Sequence, residues 1–552
     1  MQICMMDRIL AHRKIILFAA VVLALIALAV CVNLEKIPQR DAVCRYIPMA
    51  EAFASGDFRF AFHPRIPPLQ PLCGGIVVKC FNVDAFLGLK IASVAWYLAG
   101  SALIWMLFRT VHPDDRKVAL FGTIFYLFFP YMFHMAYSGL RESAKCTTLI
   151  LLALALVRVW RVQARWRDYL LLGIAAGLGA LIRMESLAIG LFCIFCAAIF
   201  ESSSGGLPLR SVFSAAVALT FTTANALINY HFFGHAMPDS HYAVMFMKHI
   251  GRPADPGDLL PIAVLIATLL PLAGYAAARL FRRVPVGFFW GAALLFTAVV
   301  TVFTVFTGID RNIPGETGDF VISLLESGYY FVVPMALVHV GRQLFLHKFT
   351  RAEHAVLVVA AAAILLCILQ IQIFDKKLYV PSRYLFPATP LFFGLFLLGW
   401  EDFYRWFSPF LPKWFVALGL AASIAGFVFM YSYHLPQPLY RAYRARSHIA
   451  DKAVIDEICR LVKSDKLPLR PRGTVLSPWK YRSWRSPKFW FDDMYPKISV
   501  AAYFMGGSVV ESASEADYIV MERLPKHIDP RKTHLLGKVK WRKRVFCVWR
   551  ME

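Results

Sequence analysis

Charge is what this chain of 552 residues has least of. Asp, Glu, Lys and Arg make up 17% of it, where a soluble protein carries about one-quarter. Hydrophobic residues make up 59%, and the mean hydropathy is +0.56. That shortage excludes an ordinary soluble domain. The sequence also has no internal repeat and no low-complexity tract, which argues against solenoids and disordered linkers. Acidic residues are scarcest, 35 against 59 Lys and Arg, for a net charge of +24. No nucleic-acid motif accompanies this excess. From Pro436 onward there are 24 basic and 12 acidic residues, a net +12, and the other +12 is spread over short connections. Basic segments beside anionic lipid account for that distribution. The 11 cysteines are scattered, most within apolar runs, where they act as small apolar residues. Cys193 and Cys196 have the C-x-x-C spacing but lack a second ligand pair, so no zinc site is expected there.

What the chain does have is a series of apolar runs of about 18–22 residues, the length that crosses a bilayer's hydrocarbon. The first, Ile15–Val32, follows Arg8, Arg13 and Lys14 and lacks a small-x-small cleavage site, so it is expected to be retained as a helix. Thirteen spans are expected, at about 15–33, 85–108, 118–137, 144–160, 169–182, 186–200, 211–232, 260–281, 286–307, 321–341, 354–374, 384–400 and 413–433. The short fifth and sixth could form one broken pair. The predicted fold class is therefore an all-α polytopic membrane protein, with a transmembrane domain over 1–433 and a first loop over 34–84. A small extracytoplasmic α/β domain over 434–552 follows. In that tail Arg446–Lys463 reads as an amphipathic helix, and Asp517–Glu522 and Arg544–Arg550 read as strands.

Alternate short connections hold Arg109/Arg116/Lys117, Arg158/Arg161/Arg165/Arg167, Arg279/Arg282/Arg283 and Arg342/Lys348/Arg351. The positive-inside rule places these in the cytoplasm, together with the N-terminus. The first loop, the His231–Leu259 loop, the Gly308–Phe320 loop and the tail then face outward. The expected location is the plasma (inner) membrane, with active site and C-terminus extracytoplasmic.

The first loop is charged where its surroundings are apolar. Arg40 and Asp41 follow the membrane exit, then a helical stretch Ala42–Ala54, a Ser55-Gly56-Asp57 turn, and a Pro-rich return from Pro64 to Pro71. A solvated connection facing headgroups would also fit. Other charges gather at outward span ends: Gly139-Leu-Arg141-Glu142-Ser-Ala-Lys145, Leu181-Ile-Arg183-Met-Glu185, and Pro381-Ser-Arg383-Tyr384. Singly, each could be an interfacial anchor. Together they converge on one face, and charge at membrane depth marks functional candidates. Guanidinium forks suit a phosphate, and a carboxylate beside them can take a proton from a hydroxyl. That combination fits transfer of a group from a lipid phosphate to an acceptor hydroxyl.

These motifs resemble the GT-C class of membrane glycosyltransferases, which includes dolichyl-phosphate-mannose protein mannosyltransferases and aminoarabinose transferases. The resemblance runs over about residues 10–400. It rests on Arg40-Asp41 with Ser55-Gly56-Asp57 and Pro67-Pro68-Leu69, on Leu181-Ile-Arg183-Met-Glu185, on Tyr230 to Tyr242 with Gly234 and Pro238, and on Arg383-Tyr384-Leu-Phe-Pro387. It implies that Asp41 is the catalytic residue and that the donor is a polyprenyl-monophosphate sugar, with no nucleotide sugar. It also implies a cavity that opens outward. On this reading Arg40, Arg141, Glu142, Lys145, Arg183, Glu185, Arg383 and Tyr384 bind the donor phosphate or sugar. His235, Asp239 and His241 belong to a lid or acceptor loop. Arg45 stands where many relatives have an aromatic, and Lys248 lies far from the Gly-x-x-x-Pro piece; both leave the donor-sugar contacts open.

The partners expected are the polyprenyl-linked donor, a glycan, lipid or protein acceptor, and membrane lipid, with no nucleic acid. No cofactor is expected, with a divalent metal as the lesser alternative: His231, His235, His241 and Asp239 are competent ligands, although their spacing matches no strong zinc pattern. The alternative from another class is a polytopic lipid or solute transporter. Transporters bind near the bilayer midplane on broken helices and often carry repeats, whereas here the charges sit at span ends.

Overall fold

Apolar runs become helices in the computed structural model. It describes residues 12–35, 38, 42–62, 66–161, 163–202, 207–233, 236, 332–346, 350–373, 385–407 and 409–410 of the membrane part. In the tail it describes 454, 457–458, 460–462, 464–465, 488–491, 508–509, 516–524, 526–541 and 544–552. The spans expected at 260–281, 286–307 and 413–433 lie outside the described residues.

The first span is α1 (Arg13–Leu34). The first loop is mostly helical: a π-helical turn Ala42–Tyr46, then α2 (Ile47–Ser55), α3 (Phe58–Ala61) and α4 (Leu69–Phe81). Gly56 ends α2 at φ +75°, which accounts for the Ser-Gly-Asp turn. Helix α4 begins within the Pro-rich return, which the sequence pattern does not mark as helical. Pro71 falls in its first turn, where a missing N–H costs nothing.

The membrane helices continue with α5 (Ala85–Val111), α6 (Arg116–Phe128), α7 (Pro130–Tyr137), α8 (Glu142–Val159), α9 (Trp166–Ile182), α10 (Glu185–Ser202) and α11 (Leu209–Phe233). Later come α12 (Val332–Phe345), α13 (Arg351–Ile373), a 3₁₀ segment Phe386–Phe392, and α14 (Phe393–Phe407). Three of these, at 14–34, 85–111 and 209–232, are by themselves long and apolar enough to cross a membrane, among the described residues. The α6–α7 pair makes a fourth if counted as one span.

Three expectations change. The third span is not one straight helix but bends by 54° between α6 and α7. Pro130 has no N–H to continue the ladder and keeps Phe129 extended (ψ 118°). The fifth and sixth spans are not halves of one broken span, because α9 and α10 fold back on each other. Gly190 of α10 meets Ala176 of α9, and Gly179 faces Ser186. The span expected from 384 begins as a 3₁₀ segment, since Pro387 and Pro390 cannot donate to an α-helical ladder.

Helix α5 is the central post, packing against α4, α6, α7 and α8. Helix α8 leans in turn on α9, α13 and the 3₁₀ segment, and α12 pairs with α14. Adjacent glycines let α4 nest between α2 and α5. A Cβ on Gly75 would lie 2.8 Å from the Ala50 carbonyl oxygen and 2.6 Å from Phe53 Cβ; one on Gly74 would lie 2.6 Å from Leu89. Gly75→Val is therefore expected to cost about 1–3 kcal/mol of stability through overpacking. Thermal unfolding in detergent measures it, with Gly341→Ala as the control, since nothing lies within 4 Å of a Cβ there. An unchanged transition for Gly75→Val would mean that α2 and α4 do not pack this way.

The tail holds strands and a few helical residues. Its strands β1 (Lys488–Phe491), β2 (Ser508–Val509), β3 (Tyr518–Met521), β4 (Thr533–Trp541) and β5 (Arg544–Met551) form one sheet in the order β2-β1-β3-β5-β4. The β1 pairings are parallel and the others antiparallel. Helical residues Val454, Ile458, Leu461 and Val462 are buried, and Leu461 packs on Gly537 of β4. Asp465 accepts from the Tyr518 hydroxyl (3.0 Å) and from Arg550 (3.1 Å). Burial first, then that carboxylate, pushes the Tyr518 phenol above its usual range.

Candidate active site

The site is assembled around the start of α8. Gly139 adopts φ +73°, a left-handed turn that lets α7 end and α8 begin within a few residues. Leu140 then turns inward and joins a buried cluster with Ala42, Tyr46, Ile47, Met49 and Ala50 of the first loop and Ala85, Phe86 and Leu89 of α5. The residues that follow Asp41 and the residue that precedes Arg141 therefore share one core.

A hydrogen-bond chain reinforces it. Gln70 Nε2 donates to Ser93 Oγ (3.0 Å), and Ser93 Oγ donates to the Leu140 carbonyl (3.0 Å). Through Ser93, α5 ties the head of α4 to the α7–α8 turn. One turn earlier on α5, Lys90 Nζ donates to the carbonyls of Val32 (2.7 Å) and Glu35 (2.9 Å) at the end of α1.

The structure places several of the expected residues at buried helix ends. Glu142 and Lys145 occupy the first turn of α8 at 4% and 8% exposure, and Arg141 is half-buried just before them. Arg183 sits in the α9–α10 break at 8% exposure, extended at ψ 119°. Helix α9 packs on α8 and reaches α4, so this break lies on the same bundle. At the other end of α11, Phe232 stacks on Phe62 of the first loop (5.1 Å between centroids). Phe386, three residues after Arg383, stacks on Tyr131 of α7 at 3.5 Å.

Buried polar atoms cluster here too. Arg141 Nε, Ser143 Oγ, Ser186 Oγ and Gln70 Oε1 have no hydrogen-bond partner among the described residues. Four such atoms in three candidate segments, the first loop, the start of α8 and the start of α10, are what a polar ligand or water would satisfy. Arg40, Asp41, Arg383, Tyr384, His235, Asp239 and His241 lie outside the described residues, as does the side chain of Glu185.

Two features escaped sequence reading. Lys90 is one, although a lone charge inside an apolar run was the available signal. The other is a polar network at the opposite helix ends. There a cavity of about 630 Å³ is lined by Asp114, Lys117, His339, Arg342, Asp402 and Arg405, among others. Arg342 pairs with Asp402 and Arg405 with Glu401. It lies among the basic connections, away from the expected site. Among the described residues no group of three or more His, Cys, Asp or Glu could hold a metal ion. Cys73, Cys193 and Cys196 are free thiols.

Comparison with known proteins adds a family likeness. Residues 65–227 match the family described as dolichyl-phosphate-mannose-protein mannosyltransferase. That stretch runs through α4 to α11 and contains Arg141, Glu142, Lys145, Arg183 and Glu185; Asp41 precedes it. No curated protein sequence matches the chain significantly. Among solved structures, the Archaeoglobus fulgidus oligosaccharyltransferase in complex with Zn and sulfate is similar at a TM-score of 0.51 and 13% identity, covering 90% of this chain and 67% of that one. AglB of the same organism, in complex with an inhibitory peptide and a dolichol-phosphate, is similar at 0.51 and 13%, over 91% and 69%. ArnT from Cupriavidus metallidurans bound to undecaprenyl phosphate matches over 96% and 97% at 14% identity, with a TM-score of 0.39 that is too low to argue from. The chain thus has the fold of the archaeal oligosaccharyltransferase over about two thirds of that protein's length. The likeness to GT-C-type glycosyltransferases expected from the motifs is borne out.

Proposed function

We propose that this chain is a membrane glycosyltransferase that moves a sugar from a polyprenyl-phosphate donor to an acceptor hydroxyl at the outer face of the membrane. The observation that supports this reading is the burial of Glu142, Lys145 and Arg183 at helix ends, with Leu140, two residues before Glu142, packed in the first-loop core, within a stretch that resembles a family named for a lipid-phosphate sugar donor. Charge buried at the ends of apolar helices is costly unless a partner or ligand uses it. These groups stand at helix ends rather than mid-helix, which does not favour the transporter alternative.

The reaction follows from the charges. The acceptor oxygen attacks the anomeric carbon of the donor sugar while its proton passes to the Asp41 carboxylate. The bond from anomeric carbon to phosphate oxygen breaks on the opposite side, and the lipid phosphate leaves with the electron pair. One displacement inverts the anomeric centre. Phosphate is a good leaving group, so a cationic clamp of Arg183, Lys145, Arg141 and Arg383 suffices in place of a strong acid. Tyr384 and Glu185 flank that clamp in sequence, Arg40 adjoins the base, and His235, Asp239 and His241 belong to a loop that closes over the acceptor. The positive-inside pattern orients this face outward.

The test is transfer from a radiolabelled polyprenyl-phosphate sugar by the purified protein, with mass spectrometry of copurified lipid and NMR of the product anomer. Transfer with inverted configuration supports the reading. Inability to bind any polyprenyl-phosphate sugar sinks it. Within that assay Arg183→Ala and Arg383→Ala are expected to raise the donor Kd more than the Lys variants do, because a bidentate fork and its charge are lost together. Unchanged donor affinity in both alanine variants would place the phosphate elsewhere.

A further inference from the structure

We infer that Lys90 is a positioning residue for the transfer reaction, fixing the place at which the first loop leaves α1, six residues before the proposed base Asp41. The inference rests on the proposed function for its kinetic half only. Lys90 is 3% exposed on α5, with its ammonium 4.4 Å from the centre of the Phe86 ring. It donates to two carbonyls of the α1 terminus, Val32 and Glu35. Those are acceptors that a helix end leaves without intrahelical partners, at the negative pole of its dipole. A neighbouring helix thus supplies the C-terminal cap of α1 through the Lys90 amine.

The other flank of the same segment is held by the same two turns of α5. Ala42, fully buried, follows Asp41 directly and packs in the cluster with Phe86 and Leu89. Glu35 and Ala42 bracket a stretch of six residues, Lys36 to Asp41. Phe86, Leu89 and Lys90 lie within five consecutive residues of one helix. Both ends of the stretch that carries Arg40 and Asp41 are therefore referred to one rigid element, which also carries Ser93 and through it Leu140 beside Arg141. A buried lysine is an expensive way to fill space. Its two carbonyl bonds give it a function that an apolar side chain of equal length cannot reproduce.

Lys90→Met keeps the stem and removes the donors; Lys90→Arg keeps charge and donors. Transfer kinetics and peptide-resolved hydrogen exchange are read on the full-length protein in detergent or nanodiscs. For Lys90→Met, kcat is expected to fall by about 10²-fold, the size of effect that a misplacement of around 1 Å produces. The donor KM should stay within about twofold, since uniform binding is untouched. Exchange should quicken in peptides covering 32–46 but not in those covering 166–233, and Lys90→Arg should restore most of both. A raised donor KM with unchanged exchange at 32–46 would make Lys90 a donor contact and overturn the inference. Faster exchange throughout would reduce it to general packing and overturn it as well. If the wild type transfers no sugar, the functional reading fails, while the exchange comparison still decides whether Lys90 holds the loop.

Discussion

Asp41→Asn is expected to lower sugar transfer by about 10²–10⁴-fold, the usual contribution of a positioned general base, while the protein still inserts, folds and binds its lipid donor. A hydroxyl is a poor nucleophile, and Asn keeps the size of Asp but cannot take the proton. The first loop supplies its own controls. Glu35 is buried at the end of α1, and Glu51 is half-buried in α2. Asp57 follows the Gly56 turn, where its backbone N–H donates to the Ala52 carbonyl. Asp57→Asn should therefore cost far less turnover. The measurement is transfer from a radiolabelled donor, alongside donor affinity, for each variant. Near-normal transfer by Asp41→Asn would remove Asp41 from catalysis and return Arg40 and Asp41 to an ordinary headgroup-facing connection.

How much of this was legible depended on the range of the interaction that makes each element. Helices made by continuous apolar runs were read within a few residues, as with α5 (85–108 expected, 85–111 found) and α10 (186–200 expected, 185–202 found). Strands β3 and β5 announced themselves by dense β-branched and aromatic residues. Strand β4 did not, because it mixes Gly537 with lysines and its register slips between Leu535 and Gly537. Helix α4 was hidden because Pro71, Gly74 and Gly75 are poor helix formers in isolation. Those glycines are there for close packing on Ala50 and Leu89, a tertiary reason that local propensity cannot contain. The bend at Pro130 was readable and was missed by giving weight to hydropathy alone. For the site, the candidate residues around α8 were visible as charges at span ends. The Lys90 contacts were not, since its partners are backbone carbonyls 55 and 58 residues away, and a carbonyl has no sequence signature.

The same limit hid the network at the other helix ends, where a large stability effect is expected. His339 of α12 is 3% exposed and lies between two carboxylates. Its Nδ1 is 2.9 Å from Asp402 Oδ2 on α14, and its Nε2 is 3.2 Å from Glu353 Oε1 on α13. The outer oxygens are occupied as well: Arg342 donates to Asp402 Oδ1, and the Thr350 amide donates to Glu353 Oε2 (2.8 Å). Three helices thus meet at one imidazole. His339→Leu would place an apolar side chain against the Glu353 and Asp402 carboxylates where the ring nitrogens now lie, and a buried acceptor left without its partner costs about 1–3 kcal/mol, more for a charged group. The thermal transition in detergent should fall accordingly, and the donor Kd of the folded fraction should not change, because Asp402 stands near the C-terminal end of α14, whereas Phe386, stacked on Tyr131, precedes its N-terminal end. Replacing the whole set, as His339→Leu with Glu353→Gln and Asp402→Asn, should recover much of the loss, since neutral amides remove the mutual repulsion of two carboxylates. A single His339→Leu variant that melts with the wild type would show that the three helices are held by apolar packing alone, and that the imidazole merely fills the space between them.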